Sequence, residues 1–399
     1  MTDDVVLVLN AGSSSLKFAL FRPSSDPVWP VATRGILEGI GTSPRMSARD
    51  GAGNSMPTPA PDAAVRDAAT ALEHVIAWLR ATFEGAHLVG MGHRVVHGGP
   101  RHALPVVVTP EVLAELRAFI PFAPLHQPYN LAPIEAAMKR LPEVPQVACL
   151  DTGFHRTLPE VARLVPLPRA VCEGGVQRYG FHGLSYEYIA CVLPQVAPQI
   201  AGERVIVAHL GSGASLCALR GGESIENTFG FTALDGLCMG TRPGAVDPGV
   251  ILYLFQALRL SVPEVESLLY KKSGLLGVSG ISNDMRDLLD SDEPAARLAV
   301  DYFVYRVAKE VGALAAVLGG LDALVFTAGI GEHSPVMRRR VCEACAWLGI
   351  DLDQEANRAN ELRISRPTSA VSVWMIPTNE ELMIARHTGR LLSLGEARR

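Results

Sequence analysis

Residues 5–21, VVLVLNAGSSSLKFALF, and residues 204–219, RVIVAHLGSGASLCAL, lie roughly half the chain apart and read alike. Each is a run of β-branched and apolar residues, a bend of small residues, then a second apolar run, which is the pattern of two strands joined by a tight turn. A bend made of glycine and serine lets backbone N–H groups approach an anion with no side chain in the way. Two such bends in matching positions imply a duplicated fold that holds one phosphate chain between its halves.

The composition fits that reading. A chain of 399 residues favours two domains, and 48% hydrophobic against 19% charged residues supplies a large core. The net charge is -5 and no dense basic stripe is present, which argues against nucleic acid as a partner. An acidic chain that binds a polyanion must place its cations one by one, so single arginines and lysines carry the argument. The start, MTDDVVLV, is acidic and has no secretory pattern. The most apolar long stretch, residues 311–330, is broken by Gly319, Gly320 and Asp322. It reads as a helix end, a turn and a buried strand rather than a membrane span. Seven scattered cysteines suit a reducing cytoplasm. Cys342 and Cys345 form a C-x-x-C without a second ligand pair; at that spacing they share a face of a helix expected over 337–348, as buried packing.

Strands and helices alternate in both halves, which implies α/β layers. In the first half, residues 41–63 read as an exposed loop or hairpin. A helix is expected over 65–83, strands near 87–91, 106–108 and 147–150, and a helix over 110–119. In the second, a long helical period covers 295–318, followed by a buried strand at 321–327 and a last strand at 371–376. A terminal helix begins at Glu380, with Thr378 and Glu381 at capping-box spacing. The expected division is 1–150 for an N-terminal domain and 151–380 for a C-terminal domain carrying most of the nucleotide site. The terminal helix, about 381–399, is a candidate to pack back on the first, which the sequence alone does not show.

Nine motifs occur in order: NAGSSSLKF (10–18), GHRVVHGG (92–99), LDTGFH (150–155), YGFHG (179–183), HLGSGAS (209–215), MGTRPG (239–244), SGISNDMRD (279–287), TAGIGEHS (327–334) and PTNEEL (377–382). Together, from Leu9 to about Arg386, the chain resembles the acetokinase (acetate kinase) family. The resemblance implies two duplicated actin-like (ribonuclease H-like) domains with an active-site cleft between them. It also implies reversible transfer of the ATP γ-phosphoryl group to acetate or another short-chain carboxylate, giving acetyl phosphate and ADP. It further implies Mg2+ as the metal, with Mn2+ as the alternative, and a homodimer; the cysteines and the acidic start add the expectation of a cytoplasmic protein.

Phosphoryl transfer asks a protein mainly to position groups and neutralise charge. In the first bend the backbone donors of Gly12, Ser13 and Ser15 can face the γ-phosphate, and Lys17 adds a point charge. Alone this is a plain hairpin turn; its repeat at His209, Leu210, Gly211, Ser212 and Gly213 makes it a phosphate loop. Gly329, Ile330, Gly331, Glu332 and His333 follow a buried strand and precede a helix, where an α/β sheet offers a crevice. The resemblance assigns them, with Asp284, Met285 and Arg286, to the ATP site on its adenosine side. Read without it, Asp284 and Arg286 are equally an exposed pair at a helix start. The resemblance gives Asn10 and Glu380 to the metal. Glu380 also suits the dipole at the head of the last helix, and Glu381 reads as a capping partner.

Arg94 and Arg242 are isolated cations beside glycines, and guanidinium forks match carboxylate and phosphoryl oxygens. They match family motifs for acceptor and transition-state binding. His182 matches the histidine that stabilises the moving phosphoryl group, and His126 a histidine near the site. Val96, Leu125, Phe181 and Ala233 match the acyl pocket. Asp151 matches the family's essential aspartate. A short-chain carboxylate is already ionised near neutral pH, so Asp151 reads as an orienting group for an arginine or a metal-bound water, not as a base.

Several positions depart from the family's usual residues: Gln127, Tyr129, Leu184, Tyr186, Pro243, Ala245 and Ala233, the last where proline is common. Alanine there widens the pocket by a few atoms, so propionate is a second substrate candidate, and one methylene discriminates by only ~1–3 kcal/mol. A non-enzymatic, nucleotide-gated assembly protein of the same fold is the rival from another class; it has no need of Arg94, Arg242 and His182.

Overall fold

The computed structural model describes residues 3–26, 28–61 and 65–394. Contacts gather the chain into two compact units. One runs up to Phe154 and takes in the chain again from Asn379, and the other spans His155–Thr378. The division expected at Asp151 falls after Phe154, so Asp151 and Glu380 both belong to the first unit. The terminal helix is Glu380–Leu391; the part expected over 395–399 lies outside the described residues, as do residues 62 and 63 of the polar stretch.

In the first unit, β1 (Asp3–Ala11) is apolar at nearly every position because both faces are covered. Val5, Leu7 and Leu9 share a core with Leu16, Phe18 and Leu20 of β2 (Ser15–Phe21) and with Leu72, Val75 and Trp78 of the helix Ala68–Thr82. Phe18 meets Trp78 edge-on, with 5.7 Å between ring centroids. β3 (Val31–Glu38) pairs antiparallel with β2, and β4 (Arg45–Asp50) and β5 (Ser55–Met56) fold the polar stretch into a hairpin on that edge. β6 (Ala86–Val95) runs parallel to β1, and β8 (Gln146–Leu150) parallel to β6, with β7 (Val106–Val107) antiparallel at the margin.

The terminal helix packs on β6. A Cβ at Gly92 would lie 2.4 Å from Thr388 Oγ1 and 2.5 Å from Ile384 Cγ2, so only glycine admits the helix this closely. The capping box expected between Thr378 and Glu381 does not form. Asn379 is the cap, and its side-chain oxygen accepts from Leu382 N at 3.1 Å. Thr378 is held elsewhere by its backbone, which donates to Glu332 Oε1 at 3.0 Å.

The second unit has β9 (Arg204–Leu210), β10 (Ala214–Arg220), β11 (Glu223–Asn227), β12 (Ala323–Thr327) and β13 (Ser372–Met375), in the order β11-β10-β9-β12-β13. β10 is antiparallel to its neighbours, while β12 and β13 continue parallel to β9. The run β3-β2-β1-β6-β8 of the first unit has the same order and directions. The two units are therefore copies of one ribonuclease H-like topology, the duplication of the actin-like fold.

The apolar stretch 311–330 is the end of the helix Pro294–Leu318, a turn, β12 and the start of the short helix Ala328–His333; among the described residues no helix is long and apolar enough to cross a membrane. The helix expected over 337–348 stops at Ala344 (Pro335–Ala344), with Cys345 as its C-terminal cap. Both thiols are buried, and burial pushes their pKa values up.

Three buried histidines make the fold acid-sensitive. His93 donates from Nε2 to Gln146 Oε1 at 2.7 Å, and its Nδ1 has no partner. His155 donates to Phe181 O at 3.0 Å and accepts from Ser224 Oγ at 2.8 Å. Burial pushes His93, His97 and His155 down to about 4. The unfolded chain binds these protons near its ordinary pKa of about 6.5 and the folded chain resists them. Stability is complete above that value and is lost as pH falls towards 4, by up to ~3 kcal/mol per histidine. Urea unfolding across this window is expected to show a slope approaching three protons, and His93→Gln removes one of them.

Candidate active site

In an open α/β sheet, ligands sit beyond the carboxyl ends of the parallel strands. In the first unit these are the ends of β1, β6 and β8, which carry Asn10, Arg94 and, one residue on, Asp151. Arg94 donates from Nε to Asp151 Oδ1 at 3.1 Å and from Nη2 to Asp151 Oδ2. Its Nη1 reaches Asn10 Oδ1 at 3.4 Å, and Glu380 Oε2 stands 3.8 Å from its Nε. Asp151 is 1% exposed. Burial disfavours the charge on Arg94, but Asp151 and Glu380 outweigh it and its pKa moves up. Burial pushes the Glu380 carboxyl up to about 7, against the pull of Arg94.

Lys17 is paired across the hairpin from Asn10 and is exposed. The bend it follows is closed by Gly12 N donating to Ser15 O at 2.8 Å, so Gly12 spends its donor on the turn. Ser13 lies at the exposed tip. The segment after Arg94 is held by two residues that sequence reasoning missed in this role. Asn130 accepts from Val96 N at 2.9 Å and donates to Ala11 O at 2.7 Å, tying the ends of β6 and β1 together. Gln127 accepts from His97 N and donates to His97 O and Leu116 O. The only signal was their spacing, which puts both on one face at the start of the helix Gln127–Arg140. Val96 is buried; Leu125 and His126 are half-buried just before that helix.

In the second unit, His182, His209, Gly213 and Arg242 come together. His182 precedes the helix Gly183–Val196 with φ 58°, a left-handed conformation uncommon outside glycine. Its ring stacks on His209 with 4.0 Å between centroids. Its Nδ1 is 2.8 Å from Ser215 Oγ, and His209 Nδ1 is 2.8 Å from Ser185 Oγ. Tyr186, one of the departures, completes the support: its hydroxyl is 2.6 Å from Ser215 Oγ, and burial holds its phenol neutral. Arg242 donates to Ala233 O at 2.6 Å. A Cβ built on Gly213 would lie 2.7 Å from Arg242 Nη2 and 3.1 Å from His182 Nε2, so both side chains converge on the second bend. Gly211 N is used within that bend, on Gly213 O at 3.0 Å. Leu210 is buried in β9, and Ser212 O accepts from Gly240 N. Phe181 is buried edge-on against Phe229, 5.5 Å between centroids.

Residues 329–333 precede the helix Pro335–Ala344, as expected, and themselves lie inside a short helix, Ala328–His333. The chain turns into it at Ala328, with φ 65°, directly after β12. Gly329 approaches Gly211: its N lies 3.8 Å from where a Gly211 Cβ would be. Gly331 is buried, Ile330 half-buried and His333 exposed. The Glu332 carboxylate is committed to the fold, accepting from Ala328 N at 2.8 Å and Thr378 N at 3.0 Å. Arg338, fully buried, donates to Gly331 O and Glu332 O, each at 2.8 Å, and to Asn357 and Asn360. Sequence reasoning missed it because the run Arg338-Arg339-Arg340 reads as a solvated helix face. Asp284 and Arg286 pair with each other at the start of the helix Met285–Leu289, Nη2 to Oδ2 2.6 Å, and the Arg286 side chain holds the Asp284 carboxyl down at about 2. Met285 is buried beneath them.

A duplicated actin-like fold with glycine bends at its strand ends, and single cations and histidines held beside them, defines a phosphoryl-transfer enzyme. Comparison with known proteins narrows the class. The profile of the Acetokinase family matches residues 5–386. The acetate kinase of Rhodopseudomonas palustris is 55% identical over 397 residues, 98% of this chain and 99% of that one. The crystal structure of Porphyromonas gingivalis acetate kinase superposes with a TM-score of 0.84 at 38% identity, covering 98% of this chain and 100% of that one. A propionate kinase structure from Francisella tularensis gives 0.89 at 36% identity, covering 97% and 99%. This chain belongs to the acetokinase family.

Proposed function

We propose that this chain is an acetate kinase: it moves the γ-phosphoryl group of ATP reversibly to acetate, giving acetyl phosphate and ADP, by direct in-line attack of a carboxylate oxygen on phosphorus. The observation that carries the reading is the Arg94–Asp151 fork at the ends of β6 and β8, in a chain so similar to acetate kinases. A guanidinium fixed by a buried carboxylate keeps its remaining face for an anion. On this reading Arg94 grips the acid, with Val96, Leu125, His126, Phe181 and Ala233 about its alkyl end. Arg242 and His182 neutralise the charge of the moving phosphoryl group. In the bend that Gly12 closes, Ser13, Ser15 and Lys17 meet the γ-phosphate, while the second bend, His209, Leu210, Gly211, Ser212 and Gly213, holds the nucleotide phosphates. Asp284, Met285, Arg286 and the backbone of 329–333 take the adenosine.

Asn10 and Glu380 are fit to hold Mg2+. Both offer hard oxygen donors, and the raised pKa of the Glu380 carboxyl marks a group that a cation would relieve. Among the described residues no cluster of three His, Cys, Asp or Glu could hold a metal alone, which suits an ion that keeps waters and takes phosphate oxygens. When bound it neutralises phosphate charge. Seven free thiols support a cytoplasmic location. Exposed Val161, Leu164, Val250, Leu252 and Tyr253 of the second unit support a homodimer.

Hydroxylamine trapping of acyl phosphate across a panel of acids tests the reading. Acetate is expected to have the highest kcat/KM and propionate to follow within roughly tenfold, because Ala233 leaves room for one methylene. No acyl phosphate from any acid would remove the proposal.

A further inference from the structure

The first unit has a second cationic feature, which shares Lys17 with the phosphate bend and adds two arginines that the reaction does not use. Lys17 and Ala19 share one side of β2. Arg34 on β3 is paired directly opposite Ala19, and Arg49 on β4 directly opposite Arg34. Strand alternation therefore puts Lys17, Arg34 and Arg49 on one face of the sheet. Like charges directly opposed across an antiparallel pair destabilise it. Neither arginine has a carboxylate partner among the described residues. Arg34 reaches Asn379 Oδ1 at 3.4 Å, and Arg49 donates to Gly53 O at 2.9 Å. The three cations line a groove of about 330 Å³, with Ser47, Ser55 and a single acid, Glu381.

We propose that this groove binds a small, multiply charged oxyanion of the phosphate type. Three cations against one carboxylate leave two positive charges, which a phosphate dianion neutralises and a monocarboxylate does not. Two guanidinium groups on directly paired strand positions supply several N–H donors of the kind that suits tetrahedral oxyanions. The hydroxyls of Ser47 and Ser55 add neutral donors that need no further charge. Occupancy relieves the Arg34–Arg49 repulsion that the bare sheet carries.

The test is calorimetric titration of the full chain with inorganic phosphate. Arg34→Gln/Arg49→Gln is expected to weaken this binding roughly 10- to 100-fold. Acyl phosphate formation without added phosphate stays within about twofold of the parent, since neither arginine belongs to the catalytic set. Arg49→Glu puts a carboxylate opposite Arg34. It is expected to abolish phosphate binding and to raise the Tm in phosphate-free buffer, so lost binding cannot be put down to failed folding. Equal phosphate affinity in the parent and the double variant overturns the proposal, as does a parent that binds no phosphate, or an Arg49→Glu chain that still binds it. The binding readout needs no turnover, so this proposal and the kinase reading fail separately.

Discussion

Asp151→Asn is expected to fold and to lose roughly 10²- to 10⁴-fold in turnover. The wild-type carboxylate is buried and accepts two hydrogen bonds from Arg94, which fixes the plane of the guanidinium. Asparagine keeps the shape and one acceptor oxygen. It turns an NH2 towards a group that only donates, and it removes the charge that outweighs the burial of Arg94. The fork then loses its aim, and an acceptor gripped by a misaligned fork sits outside the in-line path. The acid needs no proton removed before it attacks, since carboxylates are ionised near neutral pH. The acidic limb of the pH–rate profile should therefore survive in the variant. A limb that disappears would mean that Asp151 moves a proton, and turnover within about tenfold of the parent would mean that the fork is not needed. Arg94→Ala is the less clean experiment. It leaves Asp151 buried and unpaired, at a cost of ~3–5 kcal/mol, so its activity loss mixes chemistry with unfolding.

The second large effect falls on the other unit. Gly213→Ala adds one methyl group at the tip of the second bend, where its Cβ would stand 2.7 Å from Arg242 Nη2 and 3.1 Å from His182 Nε2. Gly213 does not have a positive φ, so alanine is not excluded by its backbone. Relief has to come from the side chains. Arg242 is anchored to Ala233 O and His182 to Ser215, so each must leave its hydrogen bond or push the bend outward. A displacement of about 1 Å in such groups costs on the order of 10² in rate. The expected outcome is a loss of about 10²- to 10³-fold in kcat with little change in thermal unfolding. Gly174→Ala, where nothing lies within 4 Å of the added Cβ, is the control and should keep full turnover. If Gly213→Ala keeps its kcat, Arg242 and His182 do not act where they converge.

Much of this was legible in the chain before any coordinates, and the reason differs from element to element. The two hairpins were readable because a continuous β-branched, apolar run and a glycine–serine turn are properties of neighbouring residues, and both appear as β1–β2 and β9–β10. The limits of short elements were less readable. The capping box at Thr378 lost to Asn379 because Thr378 N is claimed by Glu332, a partner 46 residues away. The glycine-rich run 329–333 became a helix because Glu332 and Arg338 satisfy its backbone ends, which no local propensity encodes. Tyr186 stood out only as an unusual residue; its hydroxyl on Ser215, which also bonds His182, is a matter of packing.

The amino-acid order by itself determined the duplication, the two bends, the α/β layering and the set of residues able to do the chemistry, because periodicity, turn chemistry and motif order are carried by residues close together in the chain. Only the tertiary structure decided which of those residues meet. Arg94 finds Asp151 across 57 positions and Asn10 across 84, and Glu380 joins them by returning with the last helix to the first unit. Such pairings are set by strand order and by the burial of charge, and both exist only once the sheet has closed around them.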